Sequence, residues 1–155
     1  MKRLACLSLA LAVAAGPVFA QRVSTTPAHR MEQEWWKKRF EAKLELVKQG
    51  GWELVFMGDS ITHGWEGSGK AVWEENFGAY KALNLGYGGD RTEHVLWRLD
   101  NGELDGYQPK LLVLMIGTNN TGHRPLEKES PEDTAAGIKA ILDKIGQKSP
   151  SAKVL

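Results

Sequence analysis

The chain has 155 residues with 20 basic and 19 acidic side chains. That near-balance leaves no electrostatic footprint for nucleic acid or an anionic membrane surface. The length fits one domain, and the only cysteine, Cys6, lies too near the amino terminus to serve a disulfide framework, a thiolate metal site or a nucleophile in the body of the chain.

Residues 1–20 have the form of a signal peptide. Lys2 and Arg3 precede an apolar run from Leu4 to Ala15 that is too short to span a bilayer, and Val18-Phe19-Ala20 places small residues at a cleavage site. Without that leader 18 basic residues face 19 acids, so the exported protein carries a net charge of −1 and no integral membrane segment. Residues 21–30 read as a polar linker, and the domain is expected over 31–155.

From about Met31 to Lys48 the apolar residues Trp36, Phe40, Leu44 and Val47 recur with helical period, and Gly50-Gly51 stops the helix. The Trp35-Trp36 pair is read as pinning this helix to a core, the commoner use of such a pair, over a sugar-stacking platform. Three short, non-alternating aliphatic runs follow: Leu54 to Met57, Ala82 to Leu85 and Leu111 to Ile116. Such runs suit strands covered on both faces. Between the second and third, Thr92 to Leu99 reads as a helix burying Val95, Leu96 and Leu99. Ser130-Pro131-Glu132-Asp133 then opens a helix whose buried stripe is Ile138, Ile141, Leu142 and Ile145. Strand and helix alternate as in an α/β fold with a parallel sheet and helices on both faces. Lys153-Val154-Leu155 resembles the opening of a fourth parallel strand, so the 155 residues are expected to be part of a longer protein.

In a parallel sheet, functional groups gather where strands end and helices begin. The three strand exits read Gly58-Asp59-Ser60-Ile61-Thr62, Gly86 to Thr92, and Gly117-Thr118-Asn119-Asn120. Singly they are an N-cap, a glycine turn and an Asx turn. Together they offer a serine hydroxyl between two donors, the Gly89 N–H and the Asn119 amide, the arrangement acyl transfer requires. Arg91 stands where a dinucleotide-binding glycine loop needs its third glycine, and Asp59 sets a carboxylate where a phosphate would sit, which argues against a nucleotide or flavin binder.

These three blocks resemble those of the GDSL, or SGNH, hydrolases. The run from Asn84 to Leu104, with Gly117-Thr118-Asn119-Asn120, is similar to the platelet-activating-factor acetylhydrolase-like branch. The resemblance implies a flavodoxin-like three-layer α/β/α sheet, here without its final strands and C-terminal helix, and a serine esterase with no cofactor and no metal. Ser60 would be the nucleophile, with the Ser60 N–H, Gly89 N–H and Asn119 side chain as oxyanion hole, while Asp59 would orient the loop. It also implies an Asp-x-x-His segment as the source of the base, and none exists here. The residues three before His29, His63, His94 and His123 are Thr26, Ser60, Arg91 and Asn120.

His63 is therefore not expected to serve as base, and His94 is expected on the solvated face of its helix. Arg91 is expected to pair with Glu93 or Asp90, or else to meet a charged substrate group. Trp65, Arg91 and His123 are the candidate substrate-binding residues. The expected activity is hydrolysis of short acyl esters, acetyl above all, of carbohydrates or short-chain lipids by an exported enzyme. The alternative is a non-catalytic ligand-binding domain that lacks the base.

Overall fold

A computed structural model describes residues 22–122 and 129–155; the leader and His123 lie outside the described residues. In chain order, α1 (Glu34–Gln49) leads into β1 (Leu54–Gly58). The short α2 (Ser60–His63) and then α3 (Lys70–Phe77) precede β2 (Ala82–Gly86). Next come α4 (Thr92–Asp100), β3 (Leu111–Met115), the one-turn α5 (Thr118–Thr121), α6 (Pro131–Lys148) and β4 (Lys153–Val154).

All strand pairs are parallel, in the order β2-β1-β3-β4. The strand β1 is thus central, with Gly58 in register with Gly86 on one side and Met115 on the other. One consequence decides the site: the loops after β1, β2 and β3 leave from adjacent points on the carboxyl edge of the sheet.

Alternate residues of the strands face opposite layers. On one face Val55, Met57, Leu83, Leu85 and Leu112 form a single core with Val95, Leu96 and Leu99 of α4, Ile141 and Ile145 of α6, and Val47 of α1. On the other face Phe56 meets Trp73 and Phe77 of α3 edge-on, at centroid distances of 4.9 and 5.0 Å. The fold is therefore three-layered, with helices on both faces of a parallel sheet. At the head of α6, Ser130 Oγ accepts from the Asp133 N–H and Asp133 Oδ2 accepts from the Ser130 N–H, with Pro131 at the first helical position.

Three details differ from the sequence reading. Leu142, placed in the buried stripe of α6, is 41% exposed, because Ile141 and Ile145 alone fill the space over the sheet and Ile138 is only half-buried. Helix α3 buries no residue fully, and its weak periodicity gave no signal in the sequence. Residues 22–30, read as a linker, lie against the fold: the Thr92 hydroxyl donates to the Ser24 carbonyl at 2.9 Å, and the Ala28 N–H donates to the Glu93 carbonyl at 3.1 Å.

Candidate active site

Ser60 is the first residue of α2, immediately beyond the central strand, and is exposed at the carboxyl edge of the sheet. Asp59 is buried as the N-cap, its Oδ1 accepting from the Ile61 N–H at 2.9 Å. That bond orients the turn, the role expected of Asp59, and leaves the serine projecting from the helix start.

The helix α2 packs so closely on β2 that only glycine fits below it. A Cβ on Gly86 would lie 2.2 Å from the His63 nitrogen. Beside this contact Asn84 Nδ2 donates to the Thr62 carbonyl at 2.8 Å, and its Oδ1 accepts from the Gly86 N–H at 2.8 Å. His63 then fixes the next loop: its Nδ1 accepts from the Gly88 N–H at 3.3 Å. The neutral ring therefore carries its proton on Nε2, and the nitrogen that could take a proton from a hydroxyl is occupied. Burial, reinforced by the nearby Arg39 charge, pulls the His63 pKa below its ordinary value and favours that neutral form. The structure thus assigns His63 to the loop as an anchor.

Gly89 follows with φ +72°, a left-handed conformation that favours glycine, and is exposed. The third loop is sewn to the second by side chains. Asn119 Nδ2 donates to the Asp90 carbonyl at 2.8 Å, and Arg91 Nε donates to the Asn119 carbonyl at 3.0 Å. Asn120 Oδ1 accepts from the Thr92 N–H at 3.0 Å, while its Nδ2 donates to Thr92 Oγ1 at 3.0 Å and to buried Glu129. The Asn119-Asn120 pair is therefore a clamp between two loops rather than a local Asx turn. An amide carries two hydrogens, and one of those on Asn119 is committed to the Asp90 carbonyl.

Arg91 Nε thus reaches across to the third loop, while Asp90 is turned inward. His94 departs from expectation. It is only 8% exposed, and its Nδ1 accepts from the Arg91 N–H at 2.9 Å. The outer face of α4 is covered by the segment before α1, where His29 meets Trp97 at 5.5 Å.

Beneath the loops lies a buried ionic network that sequence patterning did not single out. Arg98 and Asp90 are both 0% exposed, and Arg98 Nε donates to Asp90 Oδ2 at 2.9 Å. Asp90 Oδ1 accepts from Trp36 Nε1 at 2.8 Å and from Arg30 at 3.1 Å. Arg98 also pairs with Glu103, donates to the Leu85 carbonyl at 3.2 Å and reaches the Gly58 carbonyl at 3.4 Å. Burial pushes the Asp90 and Glu103 carboxyls above their ordinary range, against the pull of Arg98. One guanidinium thus ties together the ends of β1 and β2, from which the Ser60 and Gly89 loops depart. Its one sequence trace is a charge three residues after Val95, on the apolar face of α4.

Trp65 stands in a half-buried aromatic cluster with Trp73 and Phe77, at 6.3 and 6.1 Å. It also lines a cavity of about 280 Å³ with Ile61, Gly69 and Met115, beside the Ser60 turn. Another cavity, about 720 Å³, opens by Leu54 and Leu111 at the amino ends of the strands. Among the described residues no group of three or more His, Cys, Asp or Glu side chains is arranged to hold a metal ion.

Residues 56–155 match the GDSL-like Lipase/Acylhydrolase family. Platelet-activating factor acetylhydrolase IB subunit alpha1 of Homo sapiens is 44% identical over 106 residues, covering 66% of this chain and 41% of its own length. Subunit alpha2 of Rattus norvegicus is 41% identical over 103 residues, covering 66% and 42%. A possible lipase from Chitinophaga pinensis DSM 2588 superimposes with a TM-score of 0.47 and 22% identity, over 66% of this chain and 46% of its own. The chain spans about two fifths of the length of the curated relatives it matches. On the match over residues 56–155, the chain belongs to the GDSL-like lipase/acylhydrolase family.

Proposed function

We propose that this protein is an exported serine esterase that removes short acyl groups, acetyl above all, from carbohydrate or short-chain lipid esters. Ser60 attacks the ester carbonyl, an acyl-enzyme forms with loss of the alcohol, and water releases the acid. The Ser60 N–H, Gly89 N–H and Asn119 amide receive the negative charge that develops on the carbonyl oxygen. The observation that carries this reading is the convergence at the sheet edge: an exposed serine at the start of α2, with Asn119 bonded to the backbone next to Gly89. Export rests on the form of residues 1–20, and among the described residues no helix is long and apolar enough to cross a membrane.

A serine of this kind also needs a base. The imidazole Nδ1 atoms of His63 and His94 are both engaged with backbone N–H groups. The Asp-x-x-His segment of the family is not present in the 155 residues. The engagement of these two imidazoles leaves a second reading, a ligand-binding domain that keeps the cleft without turnover. Hydrolysis of p-nitrophenyl acetate by the full-length protein, set against Ser60→Ala, separates the two. The esterase reading predicts turnover that Ser60→Ala abolishes with an unchanged thermal midpoint. Undiminished turnover in Ser60→Ala contradicts the nucleophile assignment, and no turnover by a folded full-length protein favours the binding domain.

A further inference from the structure

The esterase reading leaves the alcohol half of the ester undefined, and the loop after β2 borders a cavity that reading does not use. About 320 Å³ opens beside Gly89, lined by Arg30, Glu32, Gln33, Arg91 and His94. That is the size of a small-molecule site. Its character is opposite to that of the apolar cavity at Ile61, Trp65 and Met115 beyond Ser60.

Part of the charge of this lining is matched from within. Arg30 pairs with buried Asp90 at 3.1 Å and donates to Gln33 Oε1 at 2.8 Å, and His29 faces Glu32 at 3.7 Å. At Arg30 a fixed anion therefore gains little over water, and an alkyl chain finds no apolar wall in this lining. A hydroxyl both donates and accepts, and it meets guanidinium donors and carboxylate or amide acceptors in the same cavity.

The second observation is Trp35. The tryptophan pair divides: Trp36 is fully buried and bonded to Asp90, whereas Trp35 is 44% exposed. Its indole edge lies 3.8 Å from where a Cβ on Gly88 would stand, and the Arg30 guanidinium covers one face of the ring, 5.3 Å from its centroid, so a ligand would meet the opposite face. A large apolar plane is thus held at the rim of a polar cavity, next to the loop proposed to bind the oxyanion. A pyranose or furanose ring has that amphipathic form, with a C–H face for the indole and hydroxyls at its edge for the polar lining.

We propose that Trp35 and the cavity of Arg30, Gln33, Arg91 and His94 form a subsite for the sugar ring of a neutral acylated carbohydrate, the alcohol portion of the ester. The role of that sugar as part of a substrate rests on the esterase reading at Ser60; its binding does not. The test is saturation-transfer NMR on full-length Ser60→Ala protein with xylobiose, cellobiose or mannobiose, each alone, and separately with a short-chain lysophosphatidylcholine below its micellar concentration. The expected result is saturable transfer from at least one disaccharide, weakened about tenfold by Trp35→Ala with an unchanged thermal midpoint. Arg91→Ala weakens it likewise. The proposal is overturned if no disaccharide gives a saturable signal, if Trp35→Ala leaves the affinity unchanged, or if the lysolipid alone binds and is lost in Arg91→Ala. Disaccharide binding through Trp35 by a protein without esterase turnover would sustain the subsite while the esterase reading fails. Turnover with disaccharide affinity insensitive to Trp35→Ala would do the reverse.

Discussion

Asn119 holds the second and third loops together and is proposed to offer a hydrogen to the oxyanion, so removing its amide tests both. Asn119→Ala is expected to lower kcat by roughly 10²–10³ with little change in KM, as for loss of one oxyanion donor. A change confined to KM would remove Asn119 from that role. His63 makes a separate prediction about pH. Its folded pKa is depressed, so the unfolded chain binds the proton more readily, and stability present at neutral pH is lost as pH falls below about 6.5. In His63→Asn the Asn Oδ1 can accept the Gly88 N–H in place of Nδ1 without titrating. Its thermal midpoint should therefore fall less than that of the wild type between about pH 6.5 and 5. Parallel acid limbs in the two proteins would contradict the account. The placement of Ser60, Gly89 and Asn119 at three strand exits was legible in sequence because each follows a short aliphatic run that ends near a glycine. His94 was not, since a helical wheel shows which side of α4 faces the sheet but not that residues 22–30 cover the other side.

At the scale of elements, α4 matters for what it carries on its apolar face. Arg98→Met leaves Asp90 and Glu103 buried without their shared partner, an imbalance that costs about 3–5 kcal/mol when one member of a buried pair is removed. Chemical denaturation should show that loss in full, and a loss below about 1 kcal/mol would mean that the network is not coupled as described. The capping box of α6 is a milder case: Ser130→Ala is expected to cost about 1 kcal/mol, since it removes one bond to an orphan helix N–H. The strands and α6 were readable from aliphatic runs and cap residues, which are local signals. The network was not, because Asp90, Arg98 and Glu103 meet Trp36 and the Gly58 carbonyl only once the register of β1 and β2 is set. Helix α3 escaped notice for the opposite reason, since it buries too little to leave a periodic stripe.

Over the whole molecule, the order β2-β1-β3-β4 turns three separate sequence blocks into one edge. The parallel α/β class was evident from alternating runs, and this strand order brings the Ser60, Gly89 and Asn119 loops side by side. What the residues could not reveal was how the loops are fastened: by Asn119 and Asn120 across to the second loop, by His63 to Gly88, and by Arg98 from below. The central claim is that this fastening serves an activated serine. The most direct measurement is intact-mass and peptide-level mass spectrometry of the full-length protein after exposure to a fluorophosphonate. The account predicts a single phosphonyl adduct, located on Ser60 and absent from Ser60→Ala. A folded protein that takes up no adduct, or carries it on another residue, would contradict it.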